Sequence, residues 1–225
     1  MKWGFGWEAG PFELADMIGE DRVMCTEFSG TWLCPSTYKD FYRNGEQLDQ
    51  STDSYKPIPS RPKYQTLDEF PIVESAENFR VRDLGDGVLA IGTTTKLGVF
   101  SPALINELTG YLKDRDERFV LTSESNQFSV GFDRKFLVGR IDEGDSAGID
   151  EALIALQTLG ELLETKRVVS AVQGYCLGGG LEVAMSCPRM VALAESTIGL
   201  PEAKVGLIPG GRGVVLSRLR SQHSA

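Results

Sequence analysis

Apolar positions along this chain fall into two periods. Across 102–113, Leu104, Ile105, Leu108 and Leu112 recur three or four residues apart behind Pro102, the signature of a helix with one buried face. The stretch 149–164 shows the same period and predicts a second, longer helix. Around these helices lie short apolar runs at 88–92, 119–122, 168–172 and 190–194, each too brief for a stable helix and therefore read as strands. A glycine run leads into a predicted helix from about 179 to 187, and another helix is expected after "PGGRG" at 209–213. Strands and helices thus alternate from about residue 79, which predicts an α/β fold with helices packed outside a sheet. The sequence shows no internal repeat.

Two earlier zones differ. Residues 1–38 carry all three tryptophans, and Phe12, Leu14, Ala15, Met17 and Ile18 predict a short amphipathic helix near Pro11. Residues 39–78 are polar and proline-bearing, and are expected to wrap a surface with little regular structure of their own.

Composition narrows the chemistry. A formal charge of −9 with no basic stripe argues against a nucleic acid or an anionic membrane as partner. The cysteines at 25, 34, 176 and 187 form no Cys-x-x-Cys pair and read as reduced thiols, and no signal peptide opens the chain, so a soluble cytoplasmic protein is expected. The longest uncharged stretch, 168–181, holds four glycines and is too short to span a bilayer. The one histidine, His223, sits three residues from the end, which removes Ser-His-Asp, Cys-His and histidine-metal chemistry. There is no Gly-Lys-Ser/Thr phosphate loop, and Val183 spoils a dinucleotide fingerprint after Gly178-x-Gly180. Catalysis, if present, must come from carboxylates, backbone amides or lysines.

"GYCLGGGLEVAM" at 174–185 concentrates that chemistry. The first amides of a helix have no partner inside it, and the helix dipole makes that end partially positive. Glycines there let a carbonyl oxygen approach the backbone. Side chains on a helix lean toward its N-terminus, so Glu182 is aimed back at whatever binds there. Equally, Glu182 is the kind of residue that simply favours a helix start. Glu202, behind Pro201, offers a second carboxylate to divide acid and base work with the first, or else a solvated loop side chain.

The segment "AVQGYCLGGGLEVAMSCPRMVALAESTIGLPEAKVGLIPGG" closely resembles the signature of the crotonase superfamily, the enoyl-CoA hydratases and isomerases, and "NQFSVGFD" at 126–133 resembles its other oxyanion segment. The resemblance implies a repeated ββα spiral. It assigns the backbone amides of Phe132 and Gly179 to a thioester oxygen, and Glu182 and Glu202 to the catalytic pair of true hydratases, with no metal or redox cofactor for hydration. Phe132 stands where simple hydratases have alanine. Lys96, Arg134 and Lys135 then become candidate contacts for the phosphates of coenzyme A, although solvated surface cations read equally well. Arg212 reads as a surface arginine, with contact to an anionic group as the alternative. Isomerase activity, or a silent remnant that binds acyl-CoA or oligomerises, are the alternatives on the same scaffold.

The opening "KWGFGWEAGPFELADMIG" resembles the last segment of 3-hydroxyacyl-CoA dehydrogenases, and the order of segments resembles bacterial bifunctional dehydrogenase/hydratase proteins. The implied layout is a dehydrogenase remnant at 1–50, a linker at 51–78 and a hydratase domain at 79–225. NAD would belong only to the absent dehydrogenase portion. The family's C-terminal helices, which close over the acyl group and build a homo-oligomer, are expected to be missing. That leaves apolar surface uncovered on 149–164 and around 190–208.

Overall fold

The computed structural model describes residues 42–43, 46–49, 54–57 and 65–222. The helix expected near Pro11 and the tail histidine His223 lie outside these residues. The chain divides into two compact units, Met1–Tyr64 and Gln65–Ala225.

In the first unit, β1 (Tyr42–Arg43), β2 (Glu46–Asp49) and β3 (Ser54–Pro57) form an antiparallel three-stranded ladder that pairs Tyr42 with Gln47 and Leu48 with Tyr55. Pro57, which has no N–H to give, closes the last strand. In the second unit, β4 (Ile72–Ser75) pairs antiparallel with β5 (Phe79–Asp83). Both findings place short strands within 39–78, where little regular structure was expected. Ile72 and Val73 remain about half exposed in β4, so the strand has no alternating burial pattern to betray it. The edge of β5 supplies what periodicity does not.

The main sheet runs β10-β8-β7-β6-β5-β4. Strands β4, β5 and β6 (Val88–Thr93) are antiparallel. From β6 onward, β7 (Arg118–Ser123), β8 (Val168–Val172) and β10 (Arg189–Ala192) run parallel. Helix α1 (Pro102–Lys113) begins where Ser101 accepts the Leu104 amide, and α3 (Ser146–Thr165) where Asp145 accepts that of Gly148. Helix α2 (Arg134–Glu143) was not expected from periodicity, because it buries no residue. It is defined instead by local signals: Asp133 caps its start and Gly144 ends it in the left-handed region. Helices α4 (Gly179–Ser186) and α5 (Gly213–Gln222) complete the set.

The expected spiral is visible in a second, shorter ladder. β9 (Tyr175–Leu177) follows β8, and β11 (Thr197–Gly199) follows β10; the two pair in parallel. Bridges from Ser129 to Cys176 and from Phe100 to Phe132 extend this layer through the earlier turns. Each turn therefore gives one strand to the main sheet, a short extended piece to the second ladder, and then helix. Between sheet and helices sit Phe100, Leu104, Ile105, Leu108, Leu121, Leu159 and Leu163, all fully buried. Each such side chain contributes roughly 1.5–3 kcal/mol on removal from water. At the other extreme, Val191, Leu193, Val205 and Ile208 are 60% or more exposed, and Ile154 on α3 joins them at 60%. The uncovered apolar surface is where the sequence placed it.

Candidate functional site

The site forms where the second ladder meets the start of α4. On one side, Phe100 N–H donates to the Gly131 carbonyl (3.0 Å) and Asp133 N–H to the Phe100 carbonyl (3.1 Å). The ladder thus uses the groups on either side of Phe132, and the Phe132 N–H faces the other way with no acceptor among the described residues. Gly179, the first residue of α4, has an N–H in the same condition. The two are neighbours: a Cβ on Gly179 would lie 3.3 Å from the Phe132 nitrogen. Two unengaged amides side by side can hold one oxygen and stabilise negative charge that develops on it.

The three glycines serve three purposes, none of them a simple clearing for ligand. Gly178 adopts φ +51° and ψ −130°, a backbone region open essentially to glycine, and a Cβ there would come 2.8 Å from Glu202 Oε1. Its own N–H is spent on the Gly199 carbonyl at 3.0 Å. Gly179 lets the two amides meet. Gly180 lies against Ser129, whose Cβ and Oγ would collide with any side chain, so it seats α4 on the 128–131 segment. What the glycines admit at close range is mostly the protein itself.

Glu182, in the first turn of α4, is 2% exposed. Its Oε1 accepts two hydrogen bonds, from Gly211 N–H at 2.8 Å and Gly213 N–H at 2.7 Å. Burial pushes its carboxyl above the ordinary glutamate range; the two amides act against that rise, and the nearby Glu202 charge adds to it. A buried carboxylate whose proton affinity is raised and whose Oε2 has no donor among the described residues is fit for proton transfer.

Glu202 opens a 3-10 turn, Glu202–Val205, and reaches Gly178 with one oxygen, while its Oε2 is buried without a partner among the described residues. The structure thus brings Phe132, Gly179, Glu182 and Glu202 to one place. Lys96 lies in the turn whose Leu97 carbonyl accepts from Val130, and Arg134 and Lys135 follow Phe132 directly. All three cations are exposed, and none forms an ion pair with a described residue.

Sequence reasoning missed the 209–213 loop as part of the site. Its glycines are close-approach positions: a Cβ on Gly211 or Gly213 would lie 2.7 or 2.8 Å from an oxygen of Glu182. The paired glycines of "PGGRG" were the available signal, read only as a turn. Arg212 also corrects its expectation as a surface residue. Its side chain is 25% exposed and pairs with Glu164 of α3 at 3.2 Å. Its backbone holds φ +78°.

The fold and this glutamate-amide arrangement define a class. The family model for enoyl-CoA hydratase/isomerase matches residues 87–220, and the chain belongs to that family. Among individual relatives, it is 29% identical over 245 aligned residues to a probable 3-hydroxyacyl-CoA dehydrogenase of Bacillus subtilis (strain 168), across 99% of this chain and 31% of that protein. It is 31% identical over 125 residues to the peroxisomal bifunctional enzyme of Cavia porcellus, across 53% of this chain and 16% of that protein. Among solved structures, the enoyl-CoA hydratase from Bacillus anthracis superposes with TM-score 0.55 at 25% identity, covering 64% of this chain and 58% of that one. The enoyl-CoA hydratase from Thermoplasma volcanium GSS1 shares the fold with TM-score 0.58 at 23% identity, covering 64% and 59%. The chain spans about a third of the length, or less, of the curated relatives it matches. Among the described residues no helix is long and apolar enough to cross a membrane.

Proposed function

We propose that this chain carries an enoyl-CoA hydratase site that adds water across the 2,3 double bond of an acyl-CoA thioester. The observation that carries this reading is the meeting of two unengaged amides, Phe132 and Gly179, with two carboxylates, Glu182 and Glu202, at one glycine turn. The thioester oxygen accepts from both amides, and enolate charge gathers there as oxygen bonds to the β-carbon; one such donor is worth about 2.7–4 kcal/mol. Glu182, held through Oε1, takes a proton from the attacking water with Oε2. Glu202 passes a proton to the α-carbon, and proton exchange between the two carboxyls restores the starting state. Both carboxylates are kept, which favours hydration over the isomerase alternative.

Lys96, Arg134 and Lys135 are assigned to the phosphates of coenzyme A. Two of them stand at the N-terminal turn of α2, where cations oppose the helix dipole and build positive potential beside Phe132. No redox cofactor enters this step, and NAD would serve only a dehydrogenase portion such as that of the Bacillus subtilis relative. The working form is assigned as a homo-oligomer with its exposed apolar edge covered, and the compartment as the cytoplasm, in keeping with the free thiols of Cys176 and Cys187. The test is hydration of crotonyl-CoA by the purified chain, followed by loss of the conjugated thioester absorbance. Formation of 3-hydroxy product supports the reading. Conversion of a 3-enoyl-CoA to 2-enoyl product with no 3-hydroxy product replaces it with isomerisation.

A further inference from the structure

The 210–213 loop is tied to α3 at two points. Gln157 Nε2 donates to the Gly210 carbonyl at 2.7 Å, and Arg212 Nη2 lies 3.2 and 3.4 Å from the two carboxylate oxygens of Glu164. Positions 157 and 164 are about two helical turns apart, hence on one face of α3. In the turn before Gln157, Leu153 and Leu156 lie so close that a Cβ on Gly210 or Gly211 would meet them at 2.9 or 2.7 Å. The loop is thus pressed onto α3 while its inner side presents the Gly211 and Gly213 amides to Glu182.

For two amides separated by one residue to converge on a single oxygen, the chain must turn at that residue, and Arg212 does so at φ +78°. Glycine adopts this conformation freely, whereas arginine adopts it at a cost. A costly residue held in this way, with its guanidinium paired and its Nη1 buried without an acceptor among the described residues, points to a use for the side chain.

We propose that Arg212 is a positioning residue for Glu182: its pairing with Glu164, together with the Gln157 bond, fixes the loop so that two amides grip one carboxylate oxygen and turn the other toward substrate. The kinetic consequence rests on the hydratase reading; the geometric one does not. Arg212 acts through the backbone, since the charges that bear on Glu182 are led by Glu202 and do not include its guanidinium. Among the neighbouring elements, Arg220 of α5 binds the Met185 carbonyl at the far end of α4, and α3 meets α4 with the uncharged Leu156 beside Gly179 and Gly160 against Ser186.

The test uses the full chain with its glutamates labelled for carbon NMR, Glu182→Gln serving to assign the Glu182 carboxyl. In Arg212→Gly the backbone is relieved and only the side chain is lost; in Glu164→Gln a partly exposed partner is neutralised. Both are expected to raise the Glu182 titration midpoint by on the order of half a pH unit, because amide hydrogen bonds favour the charged form. Both are expected to lower kcat for crotonyl-CoA about five- to tenfold while KM stays within about twofold, the pattern of a lost transition-state interaction. Arg212→Lys should recover at least half of the midpoint change. An unmoved midpoint in Arg212→Gly and Glu164→Gln overturns the proposal whatever the activity. A moved midpoint in a chain that does not hydrate crotonyl-CoA upholds it and rejects the hydratase reading instead.

Discussion

Glu182 and Glu202 reach the same glycine turn from unlike supports. Glu182 stands on α4, every residue of which is buried, against a sheet strand, α3 and α5. Glu202 stands on a one-turn helix that buries none of its residues, between Pro201 and an apolar stretch in which Ile208 is 84% exposed. The buried half fixes atoms by packing. The exposed half fixes them by backbone hydrogen bonds and by glycines that allow close approach. The two halves are nevertheless interlocked, because the loop that orients the buried glutamate directly follows the exposed segment. A well-packed base is thus only as well aimed as a loop with little core of its own.

That contrast can be broken at several points. The largest effect is expected from Glu182→Gln, which should cut kcat for 2-enoyl-CoA hydration by roughly 10²–10⁴ and leave the fold intact. Full activity in this variant would remove Glu182 from the chemistry. Next in size, Leu159→Ala in the buried half should cost about 2–5 kcal/mol in denaturant unfolding, while Ile208→Ser in the exposed half should stay within about 0.5 kcal/mol. Equal losses would erase the distinction between the halves. Gly178→Ala should lower kcat by roughly tenfold or more, because its methyl group displaces Glu202 and strains the turn. A circular-dichroism melt would separate that loss from unfolding.

The smallest effect is thermal. Burial raises the folded-state proton affinity of Glu182 above its unfolded value. Protonated Glu182 therefore favours the folded state, and the benefit is lost as pH rises through the raised folded pKa. At pH 8, Glu182→Gln should raise Tm by roughly 2–4 °C for each kcal/mol so recovered, and the gain should vanish below about pH 4. A gain that persists at low pH would point to packing rather than charge. The same ionisation sets the acid limb of the rate profile, since the base must be deprotonated to act.

The architecture was legible wherever burial imposed a period. The helices at 102–113 and 146–165 and the strands at 88–93, 118–123 and 168–172 coincide closely with their apolar patterns. Strand β4 and helix α2 were illegible for one shared reason, that neither buries a regular stripe. The spiral's repeat is structural only. Its turns share hydrogen-bonding geometry through β9, β11 and the bridges at Phe132 and Ser129, which constrains backbone far more than side chains.

The residue types of the site were determined by the chain itself: a single histidine among 225 residues, three glycines at the start of a helix, and two carboxylates near them. These limit the chemistry because amides and carboxylates are what remains. Only the tertiary structure decided which amides stay unengaged, that Gly178 makes room for Glu202, and that Arg212 and Glu164 steady the loop gripping Glu182. Those facts depend on distances between segments far apart along the chain, and side-chain periodicity reports burial, not which distant backbone group a residue will meet.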